Sequence, residues 1–417
     1  MTPRSRIISP VQILTFTTLY PSAPRPQHGI FVETRLRKLV ESGEVTARVV
    51  APCPWFPSTS PRFGEYAAIA RVPRRETRHG VDIEHPRYPV LPKLGMSIAP
   101  LALFGAVLPV LRREIAEGHD FGVIDAHYFY PDGVAGVLLG RALGRPVVVT
   151  ARGSDLNLIA RHAAPRRWIR WAAAKADGLI AVSAGLRDRL MALGVARDRV
   201  RVLRNGVDLT LFRPDDRAAA RIALGLRRPT LLAVGNLVAL KRHRLMVEAL
   251  ALIPEAELII VGDGPERAAI ERAARARGIA DRVRLLGRMA QDRLPQIYSA
   301  ADVLLLVSTH EGWPNVLLES MACGTPVVVS GLAGIADIVG APEAGRVVAA
   351  ITPERLAAAI REVLAAPPAR RATRAYAERF DWRSTTEGQV ALFRAICEQR
   401  SSGDPAAAVA HRPSTRA

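Results

Sequence analysis

The sequence predicts an α/β protein built from two doubly wound domains. Short continuous apolar runs alternate with amphipathic helical stretches, as expected of parallel sheets covered on both faces. The same rhythm appears twice, with its seam near "NGVDLTLFRPDDRAAA". The chain has 417 residues, more than one compact core usually serves.

In the first half, "VQILTFTTLYP", "TARVVAP", "VIDAHY", "VVVTARG", "LIAVS" and "VRVLRNGVD" read as strands. Between them, "IFVETRLRKLVESG", "DGVAGVLLGRALG" and "AGLRDRLMALG" read as helices, each ending at a glycine, where a left-handed cap costs little. The opening segment has basic residues and then an apolar run, like a secretion signal. Gln12 and several hydroxyl residues interrupt that run, and no convincing small-residue cleavage site follows, so it is read as the first strand. The most apolar stretch, "SIAPLALFGAVLPVLRR" at 97–113, is too short and too broken by proline to span a bilayer. It is read as a buried helix, the alternative being a surface helix that touches lipid.

From residue 230 the strands are "TLLAVGN", "AELIIVGDG", "VRLLG", "DVLLLVS" and "PVVVS". The helices are "RLMVEALALI", "ERAAIERAARARG", "LPQIYSAA" and "NVLLESMACG". One more helix is expected in "YAERFDWRSTTEGQVALFRAICEQR". The predicted domains are 1–208 and 209–375, followed by a helix over 376–400 that packs back toward the first domain. Residues 401–417 have the composition of a disordered tail.

Composition narrows the class. Aromatic residues are only 5% against 49% apolar, so aliphatic side chains must fill the cores. Three scattered cysteines, Cys53, Cys323 and Cys397, suit a reducing cytosol rather than a disulfide framework, and no Cys/His group has zinc-ligand spacing. The net charge of +19 fits either an arginine-rich composition or an anionic partner: a nucleotide diphosphate, an acidic membrane leaflet or nucleic acid. Nucleic acid is the weakest of these, because no aromatic-interleaved basic patch is present.

The chemistry concentrates in "THEGWPNVLLESMACGTPVVVS", 309–330. A helix start after Pro314 leaves backbone N–H groups unpaired, and with the helix dipole these attract an anion. Glu311 precedes that start and Glu319 lies inside the helix. A diphosphate on the amides around Pro314, Asn315, Val316 and Leu317 would be flanked by both carboxylates, which accept hydrogen bonds from hydroxyls. Taken alone, Glu319 would be a helix cap and Glu311 a solvated loop charge. The embedding of Glu319 in "NVLLESMACG" and the Gly-Trp-Pro entry argue for a nucleotide-sugar site instead.

"EGWPNVLLESMACGTPVV" resembles the signature of glycosyltransferase family 4, retaining enzymes of the GT-B fold. The likeness continues through "VGDGPER", "VRLLGRM", "LPQIYSAADVLLLVS", "AVSAGLRDRL", "LRNGVD" and "HGIFVETRLRKL", over roughly 11–395. "HYFYPDGVAG" and the opening most resemble a bacterial subgroup that includes teichuronic-acid and exopolysaccharide transferases. The resemblance implies two Rossmann-like domains facing across a cleft, an acceptor side in the first and a donor side in the second. It implies that Glu319 bonds the donor ribose, that Glu311 contacts the donor sugar, and that amides near Asn315 and Val316 hold the diphosphate. Lys241 matches the lysine that neutralises the leaving diphosphate, a cation placed where charge builds up. Gly262 and Gly264 suit a tight turn, and "GDGPER" is not a nicotinamide fingerprint because residue 267 is Arg. The backbone near Gly287, Arg288 and Met289 is expected to read the donor base. Gly29, in the first strand–helix loop, lets a helix start approach the phosphates; His28 beside it reads as a surface residue. Arg152 is counted with Lys241 and Glu311 among the catalytic candidates, across the cleft beside the sugar, and Asp155 and His127 are assigned to the acceptor and sugar side.

Two positions depart from the commonest family pattern. Asn236 stands where many members have arginine, and Arg152 stands where the usual motif has histidine. The expected reaction moves a glycosyl group from a nucleoside diphosphate sugar to a hydroxyl acceptor, lipid-linked or part of a growing glycan, with retention. No metal and no cofactor are expected, and the site is expected to work by alignment and leaving-group stabilisation. Expected partners are the nucleotide sugar, the acceptor and an anionic membrane surface, with a cytoplasmic location that includes the inner face of the membrane. The rival readings are a sugar-nucleotide epimerase of similar fold and a non-catalytic sugar-nucleotide-binding subunit.

Overall fold

The computed structural model describes residues 9–90, 95–332, 334–335 and 337–402. The tail expected over 401–417 lies outside the described residues from 403 onward. The chain divides into two compact units, one running to Arg204 and resuming at Ser384, the other Asn205–Arg383.

The first unit holds strands β1 (Val11–Phe16), β2 (Val45–Val50), β3 (Cys53–Pro54), β4 (Arg75–Arg78), β5 (Val81–Glu84), β6 (Arg87–Tyr88), β7 (Val123–His127), β8 (Val147–Ala151), β9 (Gly178–Ala181) and β10 (Val200–Val202). Eight of them form one sheet in the order β10-β9-β8-β7-β1-β2-β5-β4, and β3 pairs with β6 separately. Within the larger sheet every pairing is parallel except β4 with β5. β7 and β8 are buried along their whole length, which is why they read as unbroken apolar runs. The core joins Ile13, Val49, Val123 and Ile180 of the sheet to Val32, Leu36 and Leu39 of helix Ile30–Glu41.

The antiparallel β4–β5 hairpin was not foreseen. Its strands "RETR" and "VDIE" are mostly charged and partly exposed, and so carry no apolar run. Its turn, however, was legible. His79 and Gly80 both take positive φ, 50° and 76°, the demand of a two-residue hairpin turn that an X-Gly pair meets. The stretch 97–113 forms one helix, Gly95–Ala116, that continues through Pro100 and Pro109. Only one side is buried: Leu103, Val107 and Leu111 are fully enclosed while Leu101 is 48% exposed. The buried-helix reading therefore holds for one face only. No helix among the described residues is long and apolar enough to cross a membrane.

The second unit holds β11 (Thr230–Val234), β12 (Glu257–Val261), β13 (Val283–Gly287), β14 (Val303–Leu306), β15 (Val327–Ser330) and β16 (Gly345–Val348). Their order is β13-β12-β11-β14-β15-β16, all parallel. β16, "GRVV", escaped the sequence reading because its two central residues are exposed.

The single helix expected over 376–400 is two, Arg370–Glu378 and Arg383–Ser402. Asp381 ends the break by accepting the Arg383 N–H at 3.0 Å. The break is also tied to the segment entering this unit, since Val207 N–H donates to Phe380 O at 2.9 Å. That bond, with the one from Asn205 to Asn315 described below, places 205–208 with the second unit and moves the boundary ahead of residue 208. The last helix returns to the first unit, where Val390, Phe393 and Ile396 join its core.

Both large sheets reverse their strand order at one point, between β1 and β7 in the first unit and between β11 and β14 in the second. Crevices outside the carboxyl ends of strands at such points are where open α/β sheets bind ligands. The loops there are Thr17–Gly29 and Tyr128–Gly133 in the first unit, and Gly235–Lys241 and Val307–Pro314 in the second.

Candidate active site

In the second unit, three loops at the carboxyl ends of the strands are laced together. Leu237 N–H donates to Asp263 O at 3.0 Å, Glu266 N–H to Leu237 O at 3.0 Å, and Gly262 N–H to Gly287 O at 2.8 Å. The packing admits no side chain at two positions. A Cβ on Gly262, at φ 141°, would lie 1.9 Å from Gly235 O, and one on Gly264 would lie 2.5 Å from Leu237 O. Gly262→Ala is therefore expected to destabilise the protein by about 2–4 kcal/mol, strain and overpacking combined, read as a lower denaturation midpoint.

This platform presents Lys241 at the end of a short 3₁₀ turn, Ala239–Lys241, which Thr309 holds by donating its N–H to Leu240 O at 2.9 Å. Lys241 Nζ lies 2.6 Å from Glu311 Oε1, and both side chains are mostly enclosed. The two residues singled out from the sequence as leaving-group cation and sugar-side carboxylate thus meet directly, 70 residues apart in the chain. Asn236 is exposed on the same loop, and Arg288 and Met289 follow the end of β13.

Helix Asn315–Ala322 starts after Pro314, which has no side-chain cap of its own to satisfy the first-turn amides. The Leu317 N–H is already committed to Pro314 O at 3.1 Å, and its side chain is fully buried. Of the four residues assigned to the diphosphate, Pro314 has no N–H and Leu317 spends its own on Pro314 O, which leaves the amides of Asn315 and Val316 at the helix start. Asn205, from "LRNGVD", donates its side-chain amide to Asn315 Oδ1 at 3.2 Å. One turn further, Glu319 Oε2 accepts the Tyr298 hydroxyl at 2.8 Å. Burial pushes the Glu319 carboxyl from 4.5 up to about 7. Tyr298 was not identified from sequence, although it sits in the quoted "LPQIYSAA".

In the first unit, Gly29 takes φ 72° and packs on the preceding loop so closely that a Cβ would fall 2.2 Å from Leu19 O. His28 is half-buried rather than a free surface residue. Arg25 donates to its Nδ1 at 3.1 Å, so Nε2 carries the proton and donates to Thr18 O at 3.0 Å. Burial and Arg25 lower the His28 pKa to about 4, keeping it neutral. Asp132, of "HYFYPDGVAG", is fully buried and pins the same loop: one carboxylate oxygen accepts from Thr18 N at 2.8 Å, Thr18 Oγ1 at 3.0 Å and Thr17 Oγ1 at 3.2 Å. An aspartate in an otherwise apolar helix start was the available signal, and it was missed.

Arg152 and His127 are brought together, with Arg152 Nη2 donating to His127 Nδ1 at 2.6 Å. Asp155 is placed differently from its assignment to the sugar. It is wholly buried, and its carboxylate accepts the backbone N–H groups of Gly153 at 2.7 Å, Phe129 at 2.8 Å and Arg152 at 3.1 Å. It shapes the loops that carry Arg152 and Phe129, because a buried carboxylate is stable only when such donors surround it.

A cavity of about 350 Å³ in the first unit lies elsewhere, lined by Arg48, Arg75, Glu84, Glu114 and His119. Glu114, Glu117 and His119 also bring three ligand atoms within 4.8 Å of one another. Glu114 is already bound to Arg48 at 2.9 Å and Arg75 at 3.3 Å, and none of the sequence motifs reaches this cavity.

Two family matches divide the chain: "Glycosyltransferase Family 4" over 65–211 and "Glycosyl transferases group 1" over 215–380. A D-inositol 3-phosphate glycosyltransferase of Mycobacteroides abscessus is 33% identical over 334 residues, 75% of each chain. The chain belongs to glycosyltransferase family 4. The enzyme of the same name from Acidothermus cellulolyticus is 33% identical over 363 residues, 79% of this chain and 80% of that one. Among solved structures, sucrose-phosphate synthase from Thermosynechococcus elongatus superposes with a TM-score of 0.77 at 21% identity, covering 95% of this chain and all of that one. Anabaena Alr3699/HepE in complex with UDP-glucose gives 0.70 at 19% identity, covering 94% and 99%. These likenesses show the GT-B fold expected from the motifs, and family membership makes this chain a glycosyltransferase.

Proposed function

We propose that this glycosyltransferase takes a sugar from a nucleoside diphosphate donor held by the second unit and passes it, with retention, to a hydroxyl of a lipid-linked or growing glycan acceptor. The observation that carries the reading is the Lys241–Glu311 pair at 2.6 Å, set beside the start of the helix that bears Glu319. A leaving diphosphate that gains negative charge as its bond to the sugar breaks meets a cation and two helix-start amides there, while hydroxyls on either side of it meet carboxylates. This is transition-state charge stabilisation by fixed groups, and it assigns no role to a metal. Arg152 supplies a second cation on the acceptor side. The complex of Alr3699/HepE with UDP-glucose supports the donor class.

Peripheral membrane attachment is the second part of the proposal. Trp55, Tyr66 and Val90 are each more than half exposed and Leu101 nearly so, all in the first unit, and Phe56 stacks on Tyr66 with ring centroids 5.2 Å apart. The aromatic cluster of Phe56, Phe63 and Tyr66, with Arg62 on the Phe63 ring at 4.8 Å, suits an anionic interface. A polysaccharide product fits the subgroup likeness of "HYFYPDGVAG". The names of the relatives favour a second acceptor class, a small phosphorylated polyol such as D-inositol 3-phosphate.

One experiment separates these readings. Calorimetry with UDP-glucose, UDP-N-acetylglucosamine, ADP-glucose and GDP-mannose selects the donor, and turnover is followed by NMR with EDTA present, with and without D-inositol 3-phosphate or membrane extract. Transfer with an unchanged anomer is expected. Acceptor-independent isomerisation would mean an epimerase, binding without turnover a non-catalytic subunit, and loss of activity with EDTA a metal-dependent site.

A further inference from the structure

Arg152 stands at one end of a hydrogen-bond chain that crosses the core of the first unit. Its Nη2 donates to His127 Nδ1 at 2.6 Å, which makes that nitrogen an acceptor. His127 is then protonated on Nε2, which lies 2.9 Å from Asp125 Oδ2. The same carboxylate oxygen accepts Gln389 Nε2 at 3.1 Å. Gln389 Oε1 in turn accepts Arg35 Nε at 2.8 Å, and Arg35 Nη1 donates to Leu203 O at 3.0 Å. All five side chains are buried.

We propose that Gln389, on the last helix, is a positioning residue for Arg152, acting through Asp125 and His127. The proposal rests on the reading of Arg152 as a cation that meets the reacting sugar. Its chemical basis is polarity. Arg35 can only donate and an ionised Asp125 can only accept, so the link between them must accept on one side and donate on the other. A glutamine amide does both. A glutamate would set a second carboxylate against Asp125, and an aliphatic residue would leave two buried charged groups short of a partner. The helix packs closely here: a Cβ on Gly388 would lie 2.7 Å from Leu203 Cδ2 and would push that side chain aside. Gln389 lies 264 residues from Asp125 and 354 from Arg35, so the last helix closes a network that neither strand nor loop closes locally.

The chain also fixes a protonation state. Burial, offset by Asp125 and reinforced by Arg152 and Arg35, lowers the His127 pKa to about 4. A neutral His127 accepts from Arg152, and a protonated one repels it. The Arg152 guanidinium faces it from the β8 loop, Asp125 from β7 and Arg35 from helix Ile30–Glu41.

The test is a double-mutant cycle on the full chain, read with the nucleotide sugar of highest turnover in the panel above and, for binding, with its nucleoside diphosphate (UDP, ADP or GDP, written UDP below). Arg152→Ala should lower turnover. Gln389→Leu should lower it on the order of tenfold to a hundredfold, because misplacing a reacting group by about 1 Å has that effect, and should leave UDP affinity unchanged. In the Arg152→Ala background, Gln389→Leu should add no further loss. If Arg152→Ala leaves turnover intact, the role of Arg152 falls and the relay with it. If Arg152→Ala is impaired but Gln389→Leu is normal or additive to it, the relay alone is wrong. Should Gln389→Leu fold poorly, Gln389→Glu decides by its pH profile. A negative charge beside Asp125 raises the His127 pKa, so the acid limb of turnover at saturating donor, where bound nucleotide keeps Glu319 ionised, should move toward neutral pH. A uniform loss with an unmoved limb would overturn the proposal.

Discussion

Lys241→Ala is expected to lower turnover by about a hundred- to a thousandfold while changing affinity for the donor's nucleoside diphosphate, UDP in the simplest case, by less than about tenfold, the pattern of a group whose main work is done in the transition state. In the proposed reaction the donor diphosphate already carries two charges in the ground state, and the Lys241 assigned to face it has Glu311 2.6 Å away. The ammonium is therefore partly offset before the reaction, and its contribution to ground-state binding is modest. As the sugar–phosphate bond breaks, a further charge grows on the diphosphate, and attraction to the lysine grows with it. Lys241→Arg should recover only part of the loss, because a planar guanidinium cannot take the place of a point charge on the tight turn Ala239–Lys241. Glu311→Gln would release the lysine from its carboxylate. If that variant binds UDP more tightly yet turns over more slowly, the pair works as a unit. Steady-state kinetics with UDP calorimetry measures both, and normal turnover in Lys241→Ala would remove the lysine from the mechanism.

The residues of this pair were legible because their signal is local. "LVALKRH" and "THEGWPN" each place a charged residue in a loop at the carboxyl end of a predicted parallel strand, and parallel sheets bring such loops together. The strands were legible for a related reason: β7, β8 and β12 are buried on both faces and leave unbroken apolar runs. What was not legible depends on distance in the chain or on exposed elements. The β4–β5 hairpin and β16 carry no apolar run. The break at Arg379–Trp382 is set by contact with Gly206, where a Cβ would lie 2.7 Å from the Asp381 carbonyl, and nothing near 380 announces it. Asp155 read as a site residue from its place in "TARGSDLNL", which resembles a family motif. It proved to be a loop organiser because three backbone donors converge on it, and backbone donors have no sequence signature. Tyr298 and Gln389 were invisible for the same reason: each is defined by a partner more than 20 residues away.

Glu319→Gln should make the protein more stable above neutral pH and much weaker in binding the donor nucleotide. The Glu319 carboxyl, lifted by burial from 4.5 to about 7, holds its proton in the folded state over a range where the unfolded chain releases it. Its contribution to stability is complete below about pH 4.5 and is lost as pH rises through 7, a swing on the order of 3 kcal/mol. Glutamine is neutral throughout and can still accept the Tyr298 hydroxyl, so the variant should not show this swing. Its Tm should match that of the wild type near pH 5 and exceed it at pH 8. Binding should change in the opposite direction. A carboxylate that accepts ribose hydroxyls is favoured in its charged form, so binding releases a proton, and wild-type UDP affinity should climb from pH 5 to 7 and then level off. Replacing two hydrogen bonds to a charged acceptor by weaker ones should cost about 2–3 kcal/mol, roughly a thirty- to hundred-and-fiftyfold loss of affinity, with no climb left. Simple damage to the helix Asn315–Ala322 would lower stability and affinity together, whereas a carboxylate kept in a hostile setting for its ligand separates them. Calorimetric UDP titrations and thermal melts at pH 5, 6, 7 and 8 measure both, and undiminished UDP binding by Glu319→Gln would place the nucleotide somewhere other than this helix start.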